Sequence, residues 1–448
     1  MTAALAGAVV EFDVAAIERA AVVEAAALRA LGVRKGDAVG WLALNQPRAL
    51  ALLRACELLG ARYVPLNGRL AAAELAVIVR HAGLQHLLHD DAMAALAQQV
   101  LALVPMPQPR APGHVPGDLM LVYTSGTTGQ ARGAVHTAAA MQANMRAAIE
   151  AQALSASTRT LAVLPLFHVG GLGIQVLPTL AAGGVVRLHR RFDAGAWLHD
   201  VATWRPSTSL LVPAVMAALI EHPAWSTTDL SSLAFVNTGS SIIPRPLIDA
   251  FHARGVPVCQ VYGATETGPV TLVLRSHEAV QHAGSAGRPA LGVEVRLVGG
   301  EVQVRAPNLA RGYHREPAAA AFAEGWFRTG DLAKMDADGY FHIVGRLSDR
   351  IISGGENIDP AEIEAVALAD PAVAEAAVVG VADARWGEVP VLALVLRPGT
   401  VLDAARLQAA FEARLARFKH PRRSVVVTEL PRTALGKVRK TELAQSLA

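Results

Sequence analysis

Tyr123-Thr124-Ser125-Gly126-Thr127-Thr128-Gly129 follows directly on the apolar run Leu119-Met120-Leu121-Val122. A strand that ends in a turn rich in glycine and hydroxyl side chains exposes several backbone N–H groups, which can bind the oxygens of a polyphosphate. The stretch therefore predicts a loop for a nucleoside triphosphate, with a plain surface turn as the alternative. It is not the GxxxxGK[ST] loop of the common NTPases, because no Lys-Ser/Thr pair closes it, and it lacks the GxGxxG spacing of a dinucleotide site.

The size and composition of the chain narrow its class. At 448 residues it exceeds one typical core, so we expect two or more domains. A hydrophobic share of 52% fits a compact α/β enzyme and excludes disorder. The net charge of +3 is small and the Lys and Arg residues are scattered, which disfavours nucleic acid as a partner.

The compartment is predicted from the first residues and the cysteines. Residues 1–14 lack a basic segment followed by a signal-like apolar stretch, so secretion is not expected. The chain has only two cysteines, Cys56 and Cys259, both in apolar surroundings, and we expect buried thiols in the cytoplasm. Residues 161–186 carry no formal charge, but their prolines and glycines favour a buried core over a membrane span.

The order of predicted elements gives an α/β fold. Strand and helix patterns alternate through the first part of the chain, which predicts a large N-terminal domain of layered sheets with helices packed on them. Short alternating strands at 294–298 and 301–305 predict a small β-rich subdomain. From about residue 349 a compact α+β unit is expected, with helices over 360–368 and 402–418.

Together with the following Gly129-Gln130-Ala131-Arg132-Gly133, the glycine-rich loop resembles the signature of the adenylate-forming superfamily, which includes acyl- and aryl-CoA synthetases, peptide-synthetase adenylation domains and luciferases. The family usually carries Pro-Lys where this chain has Ala131-Arg132. Arginine keeps a cation but presents a planar fork instead of a point charge, so we expect altered turnover without loss of function.

Five further segments resemble the motifs of this superfamily, in the same order along the chain. In Leu164-Pro165-Leu166-Phe167-His168-Val169-Gly170-Gly171, the resemblance implies that Phe167 and His168 line the acyl pocket. In Val261-Tyr262-Gly263-Ala264-Thr265-Glu266-Thr267-Gly268, it implies that Glu266 holds Mg²⁺, Thr265 contacts the α-phosphate and Tyr262 lies against adenine. A carboxylate suits Mg²⁺, a hard cation that prefers oxygen.

The other three segments lie nearer the end of the chain. In Gly325-Trp326-Phe327-Arg328-Thr329-Gly330-Asp331, the resemblance implies that Asp331, at the end of a strand, is a ribose ligand. In the segment that starts at Gly345, it implies that Arg346 reaches the ribose. Ser348 stands where the family has its hinge, and Gly354 and Gly355 permit a close approach of CoA. Lys437, in a C-terminal loop, is the cation expected between the carboxylate and the α-phosphate.

The resemblance implies two domains, residues 1–347 for ATP and acid binding and residues 348–448 as a small mobile domain. The implied reaction activates a carboxylic acid with ATP and Mg²⁺ as its acyl-adenylate, releases pyrophosphate and transfers the acyl group to CoA. The resemblance is to the o-succinylbenzoate–CoA ligase and acyl-CoA ligase branches, with o-succinylbenzoate or another aryl or acyl acid as the substrate. Catalytic roles fall to Lys437, Glu266, His168 and Thr265. Binding of ATP and CoA falls to Thr124, Ser125, Gly126, Thr127, Thr128, Gly129, Arg132, Gly239, Tyr262, Gly263, Asp331, Arg346, Gly354 and Gly355.

Three points stay open at this level. Thr238-Gly239-Ser240-Ser241 departs from the Gly-Gly-Ala pattern that the family commonly has beside adenine. This departure leaves open the shape of the pocket and the identity of the acid substrate. The acceptor thiol is CoA or, as the alternative, the phosphopantetheine of a carrier protein. A catalytically weakened nucleotide-binding regulator is a third reading, suggested by Ala131-Arg132; a homodimer is one option for the assembly.

Overall fold

The computed structural model describes residues 9–109, 115–125, 131–239, 243–316, 321–353, 356–383, 386–433 and 436–448. The chain forms two compact units. Unit 1 comprises Met1–Ile243, Leu247–Arg296 and Gln303–Arg328, and unit 2 comprises Pro244–Pro246, Leu297–Val302 and Thr329–Ala448. The predicted functional boundary between residues 347 and 348 stays a prediction.

Twelve α-helices occur in the described part of the chain. A π-helix, Gly171–Val176, directly precedes the sixth. They are α1 Val14–Ala30, α2 Arg48–Leu59, α3 Ala72–Ala82, α4 Ala94–Leu103, α5 Ala138–Gln152, α6 Leu177–Ala181, α7 Ala194–Thr203, α8 Pro213–Glu221, α9 Arg245–His252, α10 Pro360–Leu368, α11 Ala404–Arg414 and α12 Lys440–Ser446.

The strands of the described residues number twenty-three. They are β1 Val9–Phe12, β2 Ala38–Leu42, β3 Arg62–Leu66, β4 His86–His89, β5 Asp118–Ser125, β6 Ala131–Thr137, β7 Arg159–Ala162, β8 Val185–His189, β9 Thr208–Leu211, β10 Phe235–Gly239, β11 Val258–Ala264, β12 Gly268–Val273, β13 Arg288–Pro289, β14 Glu294–Val298, β15 Glu301–Arg305, β16 Phe322–Ala323, β17 Trp326–Met335, β18 Phe341–Arg346, β19 Ile351–Ser353, β20 Glu356–Ile358, β21 Val373–Asp383, β22 Gly387–Leu396 and β23 Arg423–Val426.

Two sheets build unit 1. The larger has the strand order β1-β8-β7-β9-β10-β11-β12-β13, and the smaller has the order β4-β2-β3-β5-β6. The central strands of both sheets are parallel, while β12 returns antiparallel to β11 and β6 returns antiparallel to β5. These two antiparallel returns create the hairpins that carry the predicted loop and the predicted magnesium turn.

Local sequence signals set the ends of several helices in unit 1. Thr137, the last residue of β6, accepts a hydrogen bond at Oγ1 from the Ala140 backbone N–H at 3.0 Å and so starts α5. Asp13 caps α1 in the same way, through the N–H of Ala16 at 2.8 Å. Gly60 ends α2 in the left-handed conformation, with φ of 65°.

The uncharged segment 161–186 forms the end of β7, the π-helix, α6 and the start of β8, and most of it is buried, as predicted. Gln175 in the π-helix is 1% exposed, and its Nε2 donates to Thr208 Oγ1 and to Asn237 Oδ1, each at 2.7 Å. These bonds hold the π-helix against β9 and β10. Over the residues that the structure describes, no helix has the length and apolar content needed to cross a bilayer.

Unit 2 contains the sheet β20-β19-β22-β21, with β23 parallel to β22. Helix α11 ends at Arg414, so the predicted helix over 402–418 was too long. Leu415 is extended, and a 3₁₀ turn covers Arg417–Lys419, where the His420 ring bonds the carbonyl of Leu415 at 3.0 Å. The predicted β-rich segment forms the sheet β14-β15-β17-β16, in which β18 pairs with β17.

We predict that Gln175→Leu lowers the free energy of unfolding by about 1–3 kcal/mol, because buried Thr208 and Asn237 lose their partner. Urea unfolding followed by circular dichroism measures the change. The matched control is Gln98→Leu, at an exposed position of α4, which should change stability by less than about 0.5 kcal/mol. Equal midpoints for the two variants would contradict the role given to Gln175.

Candidate active site

The predicted phosphate loop follows β5 and precedes β6 in the chain. Thr124 pairs with Arg132 and Ser125 with Ala131 at the ends of the two strands. Gly126, Thr127, Thr128 and Gly129 lie outside the described residues. The strand leading into the loop is therefore confirmed, and the roles of the loop residues stay predictions.

Histidine contacts anchor the hairpin at Tyr123. Its hydroxyl is 2.7 Å from His81 Nδ1, and the rings of His81 and His314 lie edge to face at 5.4 Å. Arg62, 1% exposed, places Nη1 3.4 Å from His314 Nδ1. Burial, reinforced by the Arg62 charge, lowers the pKa of His314 to about 4, so the ring is neutral at pH 7.

The predicted magnesium turn joins β11 to β12. The hydroxyl of buried Thr267 accepts from the Ala264 N–H at 2.8 Å and donates to the Gly268 carbonyl at 2.9 Å. Gly268 has a φ of 71°, a conformation that favours glycine over residues with a side chain. A Cβ on Gly263 would lie 2.5 Å from the Pro269 carbonyl oxygen. The turn thus presents Thr265 and Glu266 in half-buried positions at its tip.

A backbone segment along β6 links this turn to the phosphate hairpin. The N–H of Val135 bonds the Gly312 carbonyl at 3.0 Å, and the N–H of His314 bonds the Gly133 carbonyl at 2.7 Å. This pairing places Tyr313 so that its hydroxyl donates to Glu266 Oε1 at 2.7 Å.

Arg132 completes the link. Its guanidinium stacks over the Tyr313 ring at 3.9 Å from the centroid, and its Nε and Nη2 bond both carboxylate oxygens of Glu316. These hydrogen bonds, together with the charge of Arg132, hold the pKa of Glu316 below its usual range. Stacking together with a bidentate bond uses the planar fork of arginine, which a lysine lacks. The structure thereby explains how Arg132 is accommodated at a family lysine position.

Glu266 fits one part of a magnesium site. Its carboxylate is a hard oxygen ligand, and the described residues contain no group of three or more His, Cys, Asp or Glu side chains able to hold a metal. Mg²⁺ usually keeps waters and binds through one or two carboxylates plus substrate phosphates. An ion at Glu266 would therefore take its other ligands from phosphate and water.

A small apolar pocket of about 20 Å³ lies beside the same turn. Gly268 and Pro269 form part of its wall, next to the turn that carries Thr265 and Glu266. The Asn144 Nδ2 donates to the Gly173 carbonyl at 2.7 Å, which ties α5 to the π-helix across the pocket. The remaining wall is largely apolar and also includes Met120, His136, Ala140, Met141, Met145, Val169, Leu172, Leu177 and Asn308.

Phe167 and His168 occupy the turn just before Val169, with their rings 4.3 Å apart. Their predicted role at the acyl group stays a prediction. Met120, His136 and Asn144 were not predicted from the sequence as pocket residues. The sequence does not show which side chains of β6 and α5 face the pocket. The only signal was that His136 follows the motif Gly129-Gln130-Ala131-Arg132-Gly133 by three residues.

The predicted adenine residues meet at neighbouring strand ends. Gly239 ends β10 and pairs with Val261 of β11, directly before Tyr262 and Gly263. A Cβ at Gly239 would lie 2.3 Å from the carbonyl oxygen of Val261, so this position requires glycine. Ser240 and Ser241 lie outside the described residues.

The predicted ribose residues in unit 2 form an ion pair. Asp331 is 6% exposed, and its Oδ1 lies 2.7 Å from Nε of Arg346, its cross-strand partner. The prediction that Asp331 ends a strand was wrong, because pairing with β18 carries β17 on to Met335. Ser348 lies in a 3₁₀ turn, Leu347–Asp349.

Lys437 is exposed on a loop of unit 2. The loop is closed by a bridge between Arg432 and Val438 and by the Thr433 N–H, which bonds the Lys437 carbonyl at 2.7 Å. Gly354 and Gly355, the predicted CoA contacts, lie outside the described residues.

Comparison with known proteins decides the family. The model of the AMP-binding enzyme family matches residues 15–314, and that of the AMP-binding enzyme C-terminal domain matches residues 362–437. The chain belongs to the AMP-binding enzyme family.

Similar members of this family are acid–CoA ligases. The chain is 41% identical to indoleacetate–CoA ligase of Aromatoleum aromaticum, over 98% of this chain and 94% of the relative. It is 40% identical to feruloyl-CoA synthase of Amycolatopsis sp, over 93% and 90%. The structure of o-succinylbenzoate–CoA synthetase from Bacillus subtilis with its acyl-adenylate superposes with a TM-score of 0.84, at 32% identity over 95% and 92%.

These findings confirm the predicted superfamily and α/β fold class. They also confirm an AMP-forming acid–thiol ligase that uses ATP, Mg²⁺ and CoA, since the Bacillus subtilis synthetase is also known with ATP and magnesium ion. The individual site residues stay predictions.

We predict that acid destabilises the fold through His314 and His136, whose pKa values burial lowers to about 4. Below about pH 6.5 the two histidines bind protons in the unfolded chain but not in the native state. The free energy of unfolding therefore falls toward pH 4 by up to about 1.4 kcal/mol per pH unit for each ring. Urea midpoints at pH 7.5, 6 and 5 measure this loss.

His314→Gln should show a shallower acid loss than the parent chain. His277→Gln, at an exposed histidine, is the matched control and should keep the parent slope. Identical slopes in all three proteins would contradict the assignment.

Proposed function

We propose that the chain activates an aromatic carboxylic acid as its acyl-adenylate and transfers the acyl group to CoA. The observation that carries the proposal is the apolar pocket whose wall continues directly into the Thr265-Glu266 turn. The pocket encloses about 20 Å³, so an aromatic acid bound against this wall, with its carboxylate near the residues expected to bind phosphate, requires the wall to open. The indoleacetate and feruloyl relatives, both named for aromatic acids, support the same choice.

The reaction needs no protein nucleophile. A carboxylate oxygen attacks the α-phosphorus of ATP and the bond to pyrophosphate breaks; the CoA sulfur then attacks the acyl carbon and AMP leaves. Catalysis therefore depends on positioning and on charge stabilisation. Mg²⁺, when bound, neutralises phosphate charge during the first step.

We assign phosphate binding to Thr265 and to the β5–β6 hairpin, and the magnesium contact to Glu266. The tie to Glu316 favours a role for Arg132 in fixing the hairpin, because its guanidinium is already bonded and stacked. Tyr262, Gly263 and Gly239 are proposed at adenine, and His168 at the carboxylate.

In unit 2 we assign ribose binding to Asp331, with Arg346 fixing its carboxylate. Lys437, on its exposed loop, is proposed to stabilise charge between the carboxylate and the α-phosphate. Ser348 is the proposed hinge between residues 1–347 and 348–448, and Gly354 and Gly355 are proposed at CoA.

We expect Lys437→Ala and Glu266→Gln each to lower acid-dependent pyrophosphate release by on the order of 10²–10³, because each removes charge stabilisation. A coupled pyrophosphate assay with a panel of aromatic acids, followed by thioester detection with CoA, measures both steps. Lys334→Ala, at an exposed lysine of β17, is the control and should stay within about twofold, as remote surface changes do.

The same assay separates the two rival functions. Thioester formation with a phosphopantetheinylated carrier but not with CoA would favour the carrier-loading alternative. If no acid supports the release of pyrophosphate from ATP, the nucleotide-binding regulator is the alternative that remains.

The size of the pocket gives a further prediction. A Cβ at Gly173 would lie 3.0 Å from Pro269 Cγ and 3.3 Å from Asn144 Nδ2. Gly173→Ala should lower kcat/KM for aromatic acids by about tenfold, in line with the effect of one methylene in a pocket. Gly170→Ala is the control, because its Cβ would meet only Ile174 at 3.7 Å. Equal effects of the two variants would contradict this placement of the acyl group.

We also propose a cytoplasmic location, which two buried free cysteines support. A homodimer stays a prediction for light scattering to test.

A further inference from the structure

Glu266, the proposed magnesium ligand, is held by one neighbouring segment, residues 310–316. The Ala310 N–H donates to the Glu266 carbonyl at 2.7 Å, and the Tyr313 hydroxyl donates to Glu266 Oε1 at 2.7 Å. The same segment therefore fixes both the backbone and the side chain of Glu266. Within the described part of the chain, no hydrogen-bond donor lies on the other carboxylate oxygen, Oε2.

The segment 310–316 is itself anchored to β5 and β6. The guanidinium of Arg311 bonds both carboxylate oxygens of Asp118, the first residue of β5, at 2.9 and 2.8 Å. The Asp118 side chain is 1% exposed, so this end of the ion pair is sheltered from water. Tyr313 forms an antiparallel bridge with Ala134 of β6. The two strands thus set the position from which the Tyr313 side chain reaches Glu266.

The ring of Tyr313 is packed on more than one side. Arg132 stacks over it at 3.9 Å from the centroid, and Phe322 meets it edge to face with the centroids 5.8 Å apart. The hydrogen bonds to Glu316 keep Arg132 in this place. Burial, together with the charge of Glu266, raises the pKa of Tyr313 above its ordinary value, so the hydroxyl stays a donor at neutral pH.

We infer that Tyr313 is a positioning residue for Mg²⁺: its hydroxyl occupies Oε1 of Glu266 and so directs Oε2 toward the metal. The inference rests on the proposed function, which puts Mg²⁺ at Glu266, and it adds a residue that acts only through that carboxylate. The hydrogen-bond partners of a metal-binding carboxylate fix its orientation, and their loss lowers metal affinity by about 10- to 100-fold. Mg²⁺ demands near-ideal octahedral geometry, which a misdirected carboxylate does not meet.

The test is calorimetric titration of the full chain with an ATP analogue that cannot react. A methylene group replaces the oxygen between its α- and β-phosphorus, so pyrophosphate cannot leave and binding is measured without turnover. Each protein is titrated once with Mg²⁺ and once with EDTA. We expect Tyr313→Phe to weaken binding of the magnesium form by about tenfold. Binding of the metal-free form should stay within about twofold, because the ring and its packing are retained.

Two further variants locate the effect. Glu266→Gln should weaken binding of the magnesium form as well, and adding Tyr313→Phe to it should change the dissociation constant by less than about twofold, because Tyr313 acts through the Glu266 carboxylate. Tyr340→Phe removes the hydroxyl of a buried tyrosine in unit 2. It is the matched control and should bind both forms as the parent chain does.

Three results would overturn the inference. They are unchanged binding of the magnesium form in Tyr313→Phe, an equal loss with Mg²⁺ and with EDTA, and an equal loss in the parent and Glu266→Gln chains. In each case Glu266→Gln alone still reports on the metal contact, so the proposed function is judged separately. If Glu266→Gln binds the magnesium form as tightly as the parent chain, the proposed metal contact fails and the inference fails with it.

Discussion

The backbone of three strands passes so closely at the end of β11 that two positions exclude any side chain. Gly239 faces the Val261 carbonyl and Gly263 faces the Pro269 carbonyl, each too near for a Cβ. A larger residue at either position would separate β10, β11 and β12. The turn carrying Thr265 and Glu266 would then move relative to the pocket wall formed by Gly268 and Pro269. The proposed phosphate site and the proposed acid site would lose their fixed relative position.

Hydrogen bonds between polar side chains also fix the position of the turn that carries Glu266. Tyr313 joins Glu266 to Arg132, and Glu316 holds Arg132 in turn. Asn144 performs the same task between α5, the π-helix and β12. Hydrogen bonds of this kind are directional, so they fix the relative positions of elements that apolar packing alone would leave adjustable. Arg132, which stands where the family usually has lysine, therefore has its own partners in Tyr313 and Glu316.

The sequence predicted what short-range chemistry determines. The strand before Thr124, the turn at Glu266 and the buried segment 161–186 depend on glycine, proline and apolar residues within a few positions, and the structure contains all three. Contacts between distant positions could not be read: Glu316 meets Arg132 from 184 residues further along the chain. The pocket face of His136 and the strand that continues past Asp331 likewise depend on neighbours supplied by other elements.

The burial of the two cysteines determines whether their thiols can react with the acyl-adenylate, which is a reactive mixed anhydride. Cys56 and Cys259 are buried, and burial raises the pKa of each thiol to about 12. Neither sulfur is accessible or ionised at neutral pH, and these are all the cysteines in the chain. An activated acyl group formed here meets no competing sulfur nucleophile from the enzyme itself, so self-acylation on sulfur is avoided.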